Sequence, residues 1–255
     1  ILISLQTLMN HPVFIQNKSM DEHSFRERSK IEEKVLQSTN YISSGIEDYG
    51  NYILKKINPN AYIFSGSLAL GEKSNPAPAT DKKYDFVFFA NDISKDVDMS
   101  LRAFEIVKHK KNDTSLLVIG SCSNEERKKC NMFIENHDLK GAVTITGRLD
   151  THIEVLNAVR TAKVAVIPLK VDLISGTIRE AMSQGVPVVT TITEGTPSLN
   201  LKRESVLLSP IGDDEEMAAN MMKLINDSKY ADLIRTNAYI TVQEKYSNEA
   251  IIKKT

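Results

Sequence analysis

From about Lys83 onward, short apolar runs rich in β-branched residues alternate with amphipathic stretches of helical period. Parallel strands that are covered by helices on both faces are apolar throughout, rather than alternately apolar and polar. The pattern therefore predicts an α/β domain with a doubly wound, parallel, Rossmann-like sheet of six strands. The predicted strands are YDFVFFA (84–90), SLLVIG (115–120), AVTITG (142–147), KVAVIP (163–168), VPVVTT (186–191) and SVLLS (205–209). Helices are predicted at 96–110, 123–138, 150–162, 175–184 and 213–228.

Residues 1–75 follow a different pattern. A strand-like start precedes a charged helix at 24–38, an irregular segment containing Ser43-Ser44-Gly45, a second helix at 46–57 and a short β-like run at 61–66. The stretch GEKSNPAPATDKK has the composition of a linker. We therefore expect a partial second domain at 1–75, the main domain at 76–240 and a C-terminal helix or tail at 241–255. Because the chain begins with Ile1 instead of Met, we also expect that an N-terminal portion is missing.

The composition limits the partners. A formal net charge of -1, with 25% charged residues, gives no electrostatic reason to expect nucleic acid. No stretch approaches the roughly 18–20 apolar residues of a spanning helix, and the opening lacks the basic region of a signal peptide. We expect a cytoplasmic protein, and a shallow peripheral contact with the inner face of a membrane stays open. Cys122 and Cys130 are too few for a disulfide framework and are expected to be reduced.

The loop at 168–177 is the strongest candidate for a binding site. Ligands bind at the carboxyl ends of strands in doubly wound domains, and Ser175, Gly176 and Thr177 fall at the start of the helix that follows the fourth strand. The first turn of a helix offers unpaired N–H groups and a positive dipole end to a phosphate, and a glycine lets the phosphate approach closely. The alternative is that Ser175 only caps the helix and Gly176 only relieves crowding.

Charged residues lie around this predicted phosphate site. Asp172 falls on the same loop and Glu180 on the helix, where acids can accept hydrogen bonds from ribose or sugar hydroxyls. Lys95 ends the loop after the first strand of the main domain, and Gly147-Arg148 follow its third strand. Lysine acts as a point charge toward phosphate, and arginine as a bidentate fork. Each charge taken alone could instead be a solvated surface group.

No cluster of His, Cys, Asp or Glu has the spacing of a metal site, so the residues themselves give no reason to expect a metal or a bound cofactor.

The run SGTIREAMSQGVPVVTT resembles the signature of the retaining glycosyltransferases of family 4, also called group 1. In that signature an acidic residue, seven others and a glutamate lead into Ala-Met, Gly-x-Pro-Val and a strand. Asp172 and Glu180 match the spacing, with aspartate in place of the usual first glutamate. The resemblance covers the whole C-terminal part. It implies a GT-B fold of two Rossmann-like domains, in which this chain holds the donor-binding domain and a remnant of the acceptor domain.

The resemblance also implies an activity and residue roles. The activity is transfer of a sugar from a nucleotide diphosphate sugar to a glycan, a lipid-linked acceptor or a small molecule, with retention of configuration and without a metal. Glu180 would contact the ribose, Asp172 would lie near the donor sugar, and Lys95 with Ser175–Thr177 would neutralise the diphosphate. Asp172, Glu180 and Lys95 are thus the expected catalytic residues, with Gly147 and Arg148 as further donor contacts.

The sequence departs from the family pattern at two places. Phe89 and Ala90 stand where the family usually has Gly-Arg, and Leu173-Ile174-Ser175 replace the usual Gly-Phe-Gly. Two alternatives therefore stay open: a GT-B nucleotide-sugar epimerase or hydrolase, and a non-catalytic homologue that binds the nucleotide sugar.

Overall fold

The computed structural model describes residues 2–5, 8, 21–44, 47–65, 82–90, 95–120, 124–170, 174–193, 195–247 and 249–250. The chain divides into two compact units, one of Ile1–Ala69 with Lys245–Thr255 and one of Leu70–Glu244. Most of the predicted linker lies outside the described residues. Asp172 and Cys122 lie outside them as well.

The first unit contains a three-stranded parallel sheet in the order β1-β2-β3. Its elements are β1 (Leu2–Leu5), α1 (Glu22–Gln37), β2 (Tyr41–Ser44), α2 (Glu47–Lys56) and β3 (Tyr62–Ser65). The strand β2 corrects the prediction of an irregular segment around Ser43-Ser44-Gly45. Its run is too short to show a period in the sequence, but it pairs with β1 and β3 along its whole length, and Ile42 to Ser44 are buried.

Helix α2 packs closely against β3 at Gly50. A Cβ added to Gly50 would lie 2.7 Å from Cγ2 of Ile63. Real Cβ atoms do not approach other carbons so closely, so this position requires glycine for packing.

The second unit contains the predicted six-stranded sheet. All neighbouring strands are parallel, in the order β6-β5-β4-β7-β8-β9. Each of the six predicted strands is present, and the predicted fold class is confirmed. In chain order the elements are β4 (Tyr84–Phe89), α3 (Val97–Lys110), β5 (Leu116–Ile119), α4 (Asn124–Asn136), β6 (Val143–Ile145), α5 (His152–Arg160), β7 (Ala162–Ile167), α6 (Gly176–Ser183), β8 (Val188–Thr191), a 3-10 turn (Thr196–Asn200), β9 (Leu207–Ser209), α7 (Asp214–Asn226) and α8 (Ser228–Tyr246).

The central strand β4 carries much of the core. Phe86, Phe88 and Phe89 are almost fully buried, and Ala90 follows them into the core. Burying one such side chain stabilises the fold by about 1.5–3 kcal/mol. Because β4 is covered on both faces, its sequence is apolar at successive positions, as the prediction assumed.

Two helices have clear end signals. Helix α5 begins after Thr151, the N-cap residue, whose side chain forms a capping box with Glu154. Helix α6 ends at Ser183 and is followed by Gly185, which has a left-handed φ of 67° and donates its N–H to the carbonyl of Met182.

An exposed ion pair links α8 to the loop before β9. Both terminal nitrogens of Arg203 donate to the carboxylate of Glu244, each at 3.0 Å. These hydrogen bonds hold the pKa of Glu244 below its usual range.

The longest described helix is α8, with 19 residues. Among the described helices, none combines the length and the apolar composition needed to cross a bilayer.

Candidate functional site

The strand order places a crevice between β4 and β7. The chain proceeds from β4 to β5 on one side of the sheet, and from β7 to β8 on the other. The chain direction therefore reverses between β4 and β7, and ligands of doubly wound sheets bind at such a reversal. Here the two loops lead to Lys95 and to the first turn of α6, so the fold brings these two predicted parts of the site to the same crevice.

The two loops are joined by backbone contacts. Lys95 and Leu169 form an isolated antiparallel bridge, and the N–H of Asp96 donates to the carbonyl of Pro168 at 2.9 Å. Asp96 also caps α3 by accepting from the N–H of Met99 at 3.0 Å. These contacts fix the backbone of Lys95 relative to the loop after β7.

The residue Lys95 is only 5% exposed. Lysine is rarely so buried, because its ammonium group loses hydration. The alternative that Lys95 is a solvated surface charge is therefore wrong.

The N-cap residue of α6 does not cap the helix with its side chain. Ser175 occupies the N-cap position but makes no side-chain capping hydrogen bond. Its Oγ instead lies 2.9 Å from Oγ1 of Thr177, and both residues are buried. The alternative that Ser175 only caps the helix is therefore wrong.

Gly176 is not crowded by the described residues around it. Apart from its chain neighbours and the backbone of its own helix, the nearest described atom to a Cβ added at Gly176 is Nη2 of Arg179, at 3.8 Å, which is an ordinary contact. The alternative that Gly176 only relieves crowding therefore finds no support among the described residues. The same distance places the guanidinium of Arg179 beside the first turn of α6, a position that the sequence analysis did not recognise.

Glu180 contacts a residue that the sequence analysis missed. Its Oε1 lies 3.1 Å from Nε2 of His152, the first residue of α5. The two side chains are 29% and 61% exposed, respectively. A carboxylate has about four lone-pair sites, so Glu180 keeps acceptor capacity for a ligand hydroxyl. The contact depends on how α5 crosses back from β6 to β7, so no local pattern in the sequence could reveal it.

Gly147 and Arg148 lie at another part of the sheet edge. Gly147 has a left-handed φ of 72°, and its carbonyl accepts from the N–H of Gly120 at 3.1 Å, which ties it to the loop after β5. Arg148 is exposed. Three strand spacings, about 14 Å, separate β6 from β7. Among the described residues, no hydrogen bond or ion pair joins Gly147 or Arg148 to the first turn of α6, and their predicted role stays a prediction.

The two residues that stand where the family usually has Gly-Arg, Phe89 and Ala90, are apolar and buried. Phe89 ends β4, and both Phe89 and Ala90 are buried, at 1% and 2% exposure.

In the described part of the chain, no three His, Cys, Asp or Glu side chains are grouped as a metal ion would require.

Comparison with known proteins identifies the family. Residues 72–241 match the family described as glycosyl transferases group 1. The chain belongs to this family. A search of curated proteins found no match.

Solved structures of GT-B glycosyltransferases share the fold of this group 1 member. Sucrose-phosphate synthase (tll1590) from Thermosynechococcus elongatus superposes with a TM-score of 0.78 at 18% identity, covering 98% of this chain and 64% of that one. A point mutant of S. aureus TarM, in complex with fondaparinux, alpha-GlcNAc-glycerol and UDP, gives 0.78 at 19% identity, with 99% and 49% covered. Anabaena Alr3699/HepE in complex with UDP and glucose gives 0.78 at 12% identity, with 99% and 69% covered. The chain thus spans less than two thirds of the length of the first two structures.

Proposed function

We propose that the protein is a glycosyltransferase that binds a nucleotide diphosphate sugar at the crevice between β4 and β7 and transfers its sugar to an acceptor. The observation that carries the proposal is the Lys95–Leu169 bridge, which holds a buried lysine at the same crevice as the first turn of α6, where Ser175 makes no side-chain capping hydrogen bond. Membership of the group 1 family supports the same activity.

The first turn of α6 would bind the diphosphate. Its N–H groups and its positive dipole end favour an anion, and Gly176 leaves room for close approach. Lys95 and the guanidinium of Arg179 would add positive charge, with Thr177 as a hydroxyl donor. Negative charge grows on the diphosphate as the glycosidic bond breaks, so fixed donors directed at it stabilise the transition state more than the ground state.

Glu180 would accept hydrogen bonds from the ribose hydroxyls. Its contact with His152 leaves other lone pairs available. In this proposal Asp172 lies near the hydroxyls of the donor sugar, while Gly147 and Arg148 contribute further donor contacts.

The finer features of the reaction follow from the resemblance to family 4. We expect retention of configuration, and we expect the cation and the helix dipole to take the place of a divalent ion. The acceptor would be a glycan, a lipid-linked sugar or a small molecule, with residues 1–75 as part of the acceptor side.

Calorimetric titration of UDP, GDP and ADP tests the donor site. UDP comes first because it is the nucleotide in the TarM and HepE complexes. The variants are Lys95→Ala and Glu180→Ala, and Lys128→Ala on the exposed face of α4 is the control for loss of one lysine charge. One nucleotide should bind, and each site variant should weaken it by about 1–3 kcal/mol, the usual effect of losing a charged hydrogen-bond partner. The control should bind as the wild type does.

The outcome that would refute the proposal is a folded wild-type chain that binds none of the three nucleotides. Incubation with the matching nucleotide sugar and candidate acceptors then tests transfer. Sugar release or epimerisation without an acceptor would indicate the epimerase or hydrolase alternative. The configuration of the product bond, read by NMR, tests retention.

A further inference from the structure

The side chain of Thr191, the last residue of β8, forms hydrogen bonds to the backbone of Leu169 that a neighbouring strand would otherwise form. Its Oγ1 accepts a hydrogen bond from the N–H of Leu169 at 2.8 Å and donates one to the carbonyl of the same residue at 2.8 Å. Backbone pairing between β7 and β8 ends at Ile167 and Thr190. The hydroxyl of Thr191 therefore extends the β7–β8 ladder beyond the point where the two backbones separate.

Leu169 connects this hydroxyl to Lys95. On one side its N–H and carbonyl bond to Thr191, and on the other side it forms the bridge with Lys95. Thr191 and Leu169 are both fully buried. Without the hydroxyl, both polar groups of Leu169 would be buried without these partners, which is unfavourable enough to displace the segment. A displacement of Leu169 would also move Lys95, its partner in the bridge.

We propose that Thr191 is a positioning residue that holds Lys95 at the donor diphosphate through the backbone of Leu169. The inference rests on the proposed function, because it assigns Thr191 a role through the phosphate contact of Lys95. Thr191 itself does not touch the donor. Its effect on binding therefore depends on the presence of the lysine side chain.

A double-mutant cycle tests this dependence. Thr191→Val keeps the shape of the side chain and removes the hydroxyl, and it is combined with Lys95→Ala. The probe is whichever of UDP, GDP and ADP binds the wild type most tightly. Thr191→Val should weaken binding about tenfold, within the range seen for residues that act through others. In the Lys95→Ala background it should add less than about twofold, since the lysine is no longer present to be positioned.

Two further variants separate positioning from a general loss of structure. Thr191→Ser keeps the hydroxyl and should bind within about threefold of the wild type. Thr190→Val is the matched control, because Thr190 is equally buried and its hydroxyl donates to the carbonyl of Ile167 at 2.8 Å, one step earlier on the same strand. This control should lower the melting temperature and leave the affinity unchanged. If Thr191→Val does not fold, Thr191→Ala, which leaves space for a water molecule at Leu169, replaces it in the cycle.

The outcomes distinguish this inference from the proposed function. Equal weakening by Thr191→Val in the presence and absence of Lys95 would overturn the positioning role, while donor binding by the wild type would still stand. Wild-type affinity in Thr191→Val would overturn it in the same way. A folded wild type that binds no nucleotide, or a Lys95→Ala variant that binds as tightly as the wild type, would overturn the lysine assignment and this inference with it.

Discussion

Replacing Gly176 with alanine should separate stability from donor binding. Gly176 is the first residue of α6, and its φ is not in the left-handed region, so alanine fits the backbone. The nearest described atom to the new Cβ would lie at 3.8 Å, which requires no adjustment. Alanine is favoured over glycine in helices by about 0.5–1 kcal/mol. In a unit of this size that corresponds to a melting temperature raised by about 1–4 °C. The new methyl group would meanwhile occupy the space through which a phosphate approaches the helix start, and we expect at least tenfold weaker binding of the nucleoside diphosphate, or about 1.4 kcal/mol.

Thermal unfolding and calorimetric titration of the same Gly176→Ala preparation test both parts. Gly141→Ala is the control with the opposite pattern. Gly141 lies just before β6, at the amino end of the sheet, and has a φ of 85°. Alanine there should destabilise the protein by about 1–2 kcal/mol without affecting nucleotide binding. Unchanged affinity in Gly176→Ala would refute a close phosphate approach. A clear loss of stability would show that the space around Gly176 is needed by the fold.

Three further substitutions test other parts of the structure. His152→Ala should change the free energy of unfolding by less than about 1 kcal/mol, since its contact with Glu180 is exposed. In the same titration it should weaken nucleotide binding less than Glu180→Ala does. Equal weakening by the two variants would mean that the imidazole itself binds the donor. Gly50→Ala should destabilise the first unit by about 1–3 kcal/mol, although alanine has the better helix propensity, because the new Cβ would clash with β3. Chemical unfolding that shows no loss of stability would contradict this packing. For Glu244, whose folded pKa is lowered by its arginine partner, the added stability is present above its ordinary pKa of 4.5 and is lost as pH falls through the lower folded value. Glu244→Gln should therefore show less loss of stability on acidification, measured by chemical unfolding between about pH 3 and pH 7, whereas an unchanged acid dependence would argue against the pair.

The strands of the main domain could be predicted because their burial on both faces is visible in the sequence. Phe86 to Phe89 form an unbroken apolar run, and such runs between helical stretches indicate a parallel sheet. The order of those strands could not be predicted. It depends on which edge each crossover reaches, so the sequence did not show that Gly147 and Arg148 follow the edge strand β6, three strand spacings from β7.

The site could be predicted only where a local pattern determines position. The first turn of α6 and Lys95 follow directly from the rule that ligands bind at the carboxyl ends of parallel strands. The sequence did not single out His152, Arg179 and Thr191, because the roles proposed for them depend on side-chain directions and on contacts between separate elements. In particular, a threonine at the end of a β-branched run shows no sign that its hydroxyl bonds to the backbone of a neighbouring strand.

In the proposed donor site, positive charge would come from two separate elements. A nucleotide diphosphate sugar has a negative charge on each phosphate, and the family pattern would provide an arginine directly after β4. In this chain Ala90 occupies that position and is buried in the core, where a guanidinium could not be hydrated. Arg179 instead lies on α6 with its guanidinium beside Gly176, while Lys95 lies on a separate segment, directly before α3. In the proposed donor site, this arginine on the helix would add positive charge that the usual arginine after β4 does not provide in this chain.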